Sequence, residues 1–69
     1  MLHFEAEFPE GTLSKELYEM LKPYGLHVTE MIFLTIAYGE IKTDDMQKVV
    51  NICYCFNVST FHITNRADG

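Results

Sequence analysis

The chain has 69 residues, ten acidic against five basic side chains for a net charge of −5, and a hydrophobic share of 48%. That length fits a single domain, residues 1–69, and that apolar share excludes a wholly disordered chain. The acidic balance disfavours generic binding to phosphate backbones and suits a partner with a basic surface, although acidity alone also keeps a protein in solution.

The opening residues do not read as a leader, because Glu5 and Glu7 stand there and no basic residue precedes an apolar core. The longest apolar run is too short to cross a bilayer as a helix. A cytoplasmic protein with no membrane contact is expected. Cys53 and Cys55 are separated by one residue. On a helix they point to different sides and cannot bridge, which agrees with a reducing compartment.

In chain order, Leu2, Phe4, Ala6 and Phe8 alternate with His3, Glu5 and Glu7. This is the pattern of a half-buried strand. Pro9-Glu10-Gly11 breaks it. Leu13, Leu17, Met20, Leu21 and Tyr24 then recur at helical spacing, with Thr12 or Ser14 as a cap and Lys15, Glu16 and Glu19 on the wet side. Pro23 disfavours helical geometry at Lys22, and Gly25 completes the stop.

The run over 28–38 is the longest apolar stretch and is rich in β-branched and aromatic residues, which favour a packed sheet. It reads as one central strand, apolar on both faces. Periodicity alone leaves a buried helix open, capped by Thr29 and ended by Gly39. Thr43-Asp44-Asp45 looks like a helix start, with a capping threonine and two acids at the positive end of the helix dipole. Met46, Val49, Val50, Cys53 and Phe56 then form an apolar stripe, predicting a helix over 44–56. Asn57 ends it. Residues 58–64 alternate again, with Ser59, Phe61 and Ile63 on one face of a third strand. A polar tail closes the sequence.

The expected fold is thus a small α/β (or α+β) domain in β-α-β-α-β order, a three-stranded sheet with two helices packed on it. Short strand-helix-strand joints favour parallel neighbours.

No catalytic, cofactor or metal pattern stands out. The Cys53–Cys55 spacing lacks the usual two intervening residues of zinc ligand pairs. Ser59 and His62 face opposite sides of a strand. The four glycines are scattered rather than gathered in a phosphate loop. The chain therefore reads as a binding protein without a cofactor and not as an enzyme: a small acidic regulator or inhibitor of another protein, by analogy with phage-encoded or antitoxin-like inhibitors. Two surfaces offer the contact. One is acidic, Glu5 and Glu7 joined by Glu40, Asp44 and Asp45. The other is an uncovered apolar band of the central run, either Met31 and Phe33 or Ile32, Leu34 and Ile36, which equally suits a homodimer.

One alternative has a different class. Asn57-Val58-Ser59-Thr60 after a helix resembles the turn of a helix-turn-helix motif, over residues 43–65. It implies a DNA-binding transcriptional regulator whose second helix, over 60–66, reads DNA through Thr60, His62 and Asn65. Against it stand a single base in that helix, Arg66, and an acidic chain.

Overall fold

A computed structural model describes residues 1–65. Of the expected polar tail over 65–69, Asn65 is instead the last residue of the final strand, and the rest, with the place of Arg66 in a reading helix, lies outside the described residues. The element order is β1 (Leu2–Pro9), α1 (Ser14–Leu21), β2 (His27–Glu30), β3 (Leu34–Ile41), α2 (Met46–Cys55) and β4 (Thr60–Asn65). The fold is α+β, with two helices as expected.

The sheet departs from expectation in three ways. It has four strands rather than three, in the order β2-β3-β1-β4. Every neighbouring pair is antiparallel rather than parallel. The element order is β-α-β-β-α-β. One cause underlies all three: the run over 28–38 is a hairpin and not one strand. Met31-Ile32-Phe33 turns the chain between β2 and β3, and the Met31 N–H donates to the Leu34 carbonyl at 2.7 Å. No Gly, Pro, Asn or Asp marks that turn. With β3 inserted beside β1, each strand-helix-strand unit is split: β1 and β2 run parallel with β3 between them, and β3 and β4 run parallel with β1 between them. This is the split β-α-β arrangement. The middle of the sheet is therefore β1 and β3, not the whole 28–38 run.

Directly opposed residues in an antiparallel ladder share a face. Phe4, Ala6 and Phe8 of β1 lie on the helix-covered face, where all three are buried with Ala37 and Ile41 of β3 and Thr35 beside them. Across the ladder, large meets small: Phe4 faces Gly39, Ala6 faces Ala37 and Phe8 faces Thr35. The helices cover this layer with Leu17, Leu21, Val49 and Cys53, and Leu26 fills the approach to β2.

The ends of the helices explain their lengths. Ser14 does not cap α1. Its Oγ donates instead to Glu30 Oε2 of β2 at 2.7 Å, tying the helix start to the edge strand. The chain leaves α1 through a 3-10 turn over Lys22–Tyr24 that accommodates Pro23, and Gly25 stops it with φ 83°. A second 3-10 turn over Thr43–Asp45 precedes α2, and Thr43 makes no capping bond. Asn57 at φ 61° ends α2 in a Schellman motif: its N–H donates to the Tyr54 carbonyl and the Val58 N–H to the Cys53 carbonyl, both at 3.1 Å.

Candidate functional site

Both helices lie on one side of the sheet, so the other face is open. Register and burial together define its occupants. β1 contributes His3, Glu5 and Glu7; β3 contributes Leu34, Ile36, Tyr38 and Glu40; β2 contributes His27 and Thr29. Thr60, His62 and Thr64 of β4 complete it. The His27 and Tyr38 rings, opposed across β2 and β3, sit 5.4 Å apart.

Two features of this face bear on recognition. First, β3 carries an apolar stripe, Leu34, Ile36 and Tyr38, along the middle of the sheet. Ile36 lies between Glu7 of β1 and Thr29 of β2, and Tyr38 between Glu5 and His27. Second, the stripe runs directly into the hairpin tip, where Ile32 is 82% and Phe33 75% exposed. Leu34 and Ile36 are half-buried and Tyr38, Ile32 and Phe33 exposed, and apolar groups gathered this way, rather than scattered singly, mark contact surfaces.

The expected site residues therefore group differently from the sequence reading. Glu5, Glu7 and Glu40 come together on the open face, as rims of the apolar stripe. Asp44 and Asp45 do not join them; they belong to the 3-10 turn that begins α2. Phe33 is exposed, but at a hairpin tip rather than within a central strand. The acidic and apolar surfaces, read separately from sequence, are adjacent parts of one region. Tyr38 was missed, and Leu34 and Ile36 entered only as part of one of two faces that the run could leave uncovered. Their signal lay in the same run: an eleven-residue strand exceeds the usual 3–10 residues, and Glu30 interrupts its apolar character.

The segment proposed as a DNA-reading helix is strand β4, 60–65. Its three reading residues also divide between faces. Thr60 and His62 oppose Glu7 and Glu5 on the open side, whereas Asn65 opposes Leu2 on the other. A strand at this position supplies no recognition helix for a major groove.

Other chemistry is sparse. Among the described residues, no group of three or more His, Cys, Asp or Glu side chains stands close enough to hold a metal ion. A groove between the start of α1 and β2 brings Ser14 beside Glu30, lined also by Leu13, Tyr18 and Val28, with no histidine among its walls. The Glu30 carboxylate that accepts from Ser14 receives no other side-chain hydrogen bond among the described residues, so the pair lacks the orienting third group of a nucleophilic site. No helix among the described residues is long and apolar enough to cross a membrane. Comparison with family models, curated proteins and solved structures gave no match to this chain.

The two cysteines are both free, and α2 places them oppositely: Cys53 is buried and Cys55 exposed. Burial pushes the Cys53 thiol up from 9.0 to about 11, because a thiolate there would lose its hydration. Two results follow. Iodoacetamide at pH 8 modifies Cys55 in the folded protein and Cys53 only on unfolding, as peptide mass mapping will show. Between pH 9 and 11 the folded state holds the Cys53 proton more tightly than the unfolded chain does. Stability from this group is thus whole below pH 9 and declines as pH rises through 11. Urea unfolding of wild type and Cys53→Val at pH 8 and 10.5 should show a smaller loss at high pH in the variant; equal losses would refute the assignment.

Proposed function

We propose that this protein acts by binding another protein through its open sheet face. The observation that supports this reading is the continuity of the apolar stripe Leu34, Ile36 and Tyr38 with the exposed tip at Ile32 and Phe33, with Glu5 and Glu7 alongside. An apolar centre with a charged border has the anatomy of a protein interface, in which the centre provides affinity and the border provides orientation and association rate. The complementary partner presents an apolar ridge flanked by Lys or Arg. A role as regulator or inhibitor fits such a module, since occupying a basic surface denies it to other ligands.

The test separates centre from border. The immobilised chain is used to capture proteins from a lysate of the source cells, beside Phe33→Glu and a Glu5→Lys, Glu7→Lys double variant, with folding checked by circular dichroism. A partner is expected to bind wild type, to be lost with Phe33→Glu, and to elute from the double variant at lower salt. Retention unaltered by all three changes overturns the proposal.

A further inference from the structure

The outer edge of β4 differs from every other border of the sheet. Residues 60–65, Thr-Phe-His-Ile-Thr-Asn, contain no acid, lysine, arginine, proline or glycine. Proteins ordinarily blunt an edge strand with a charge, a proline, a bulge or a short length, because unpaired N–H and C=O groups invite another strand. The opposite edge follows that rule: β2 has only four residues, ends in Glu30, and is tied to α1 by Ser14. β4 has six residues of mostly high β propensity and no pairing strand on its outer side among the described residues. Its helix-side flank is apolar, with Phe61 and Ile63 half-buried and Tyr54 of α2, 62% exposed, meeting the Phe61 ring edge-on at 5.9 Å.

We propose that this edge pairs with the same edge of a second copy of the chain, antiparallel about a two-fold axis at His62, so that two four-stranded sheets become one of eight strands. Self-pairing is selected on two grounds. The first is electrostatic. Each chain carries a formal charge of −5, so two copies repel over most approaches, and β4 is the border that carries no Asp, Glu, Lys or Arg along 60–65. The second is the match of residues. With the axis at His62, Thr60 opposes the second copy's Thr64 and Phe61 opposes its Ile63. Both pairs keep their faces: the threonines remain on the open side, and the apolar pair remains on the helix side beside Tyr54. The contact is isologous, so it closes at two copies. It leaves the apolar stripe on β3 uncovered, and does not depend on that stripe's having a partner.

Charge exchange at the two threonines tests it. Both are exposed, so Thr60→Lys with Thr64→Lys, and separately Thr60→Glu with Thr64→Glu, should preserve the fold by circular dichroism. In sedimentation equilibrium at low salt, wild type is expected at twice the chain mass of 8.0 kDa. Each double variant alone is expected at the single-chain mass, because like charges then oppose twice across the axis. An equimolar mixture of the two variants is expected to recover the double mass. Wild type that stays monomeric at every concentration overturns the proposal. So does a dimer that survives in both variants, or a mixture that fails to reassociate.

Discussion

Replacing Phe4 with alanine is expected to lower the stability by about 3–5 kcal/mol, whereas the same replacement at Phe33 should leave it within about 0.5 kcal/mol. Both are phenylalanines within or beside a strand, and burial separates them. Phe4 is fully buried in β1, opposite Gly39 on one side and Ile63 on the other, with the Phe61 ring 6.5 Å away. Truncating a buried phenylalanine costs about 3–5 kcal/mol through lost transfer energy and a residual cavity. A domain of this length has on the order of 3–10 kcal/mol in total. Phe33 is 75% exposed and leaves no cavity. Urea unfolding followed by circular dichroism checks both. A Phe4→Ala protein with an undisturbed transition would mean that the β1 layer is not the core.

Gly39→Ala should be the costliest such substitution among the described glycines, with a loss of roughly 2–3 kcal/mol, while Gly11→Ala loses no more than about 1 kcal/mol. Two penalties coincide at Gly39. Its φ of 144° is one that residues with a Cβ rarely adopt, and an added Cβ would stand 3.0 Å from Leu26 Cδ2 and 3.2 Å from the Gly25 carbonyl oxygen. The backbone segment carrying Gly25 and Leu26 crosses β3 here, and a bare Cα lets Leu26 lie against the strand. Gly11 also has a positive φ, 92°, but nothing lies within 4 Å of an added Cβ. Strain acts alone there, and an exposed turn can relax. Comparing urea midpoints of the two variants separates conformational strain from steric conflict. Equal losses would show that the Leu26 contact is without consequence.

Local elements were largely legible in the sequence, and their assembly was not. Alternation in β1 and the stripe through Val49 and Cys53 put the right residues against the core, whereas of the helical spacing in α1 Leu17 and Leu21 are buried but Leu13 and Met20 are exposed. Asn57 was rightly read as the end of α2. The hairpin at Met31-Ile32-Phe33 escaped because its residues are apolar and carry no turn signature; the pairing of Glu30 with Thr35 and the Met31–Leu34 hydrogen bond hold it. Its omission then displaced everything that depends on strand count. β1 resembled an outer strand because Glu5 and Glu7 alternate with buried residues. That alternation reports an open second face, which this sheet has across its whole width, and not a position at the border. The same reasoning explains the site: Glu5, Glu7 and Glu40 were found individually, but their meeting with Ile36 and Tyr38 depends on β3 lying beside β1, which no local pattern encodes.

The central place of β1 also governs the order in which the chain can fold. Leu2 lies opposite both Ile41 and Asn65, so this strand must wait for two partners that are both synthesised after it. The hairpin of β2 and β3 can close early over a short loop, but it acquires a covered face only when β1 joins it. Pairings so distant in sequence slow folding, because loop-closure entropy is lost before the contacts that offset it are made. On a ribosome, the alternating apolar residues of β1 would stay unpaired until residues 34–41 had emerged, and one of its edges would stay open until β4 had followed.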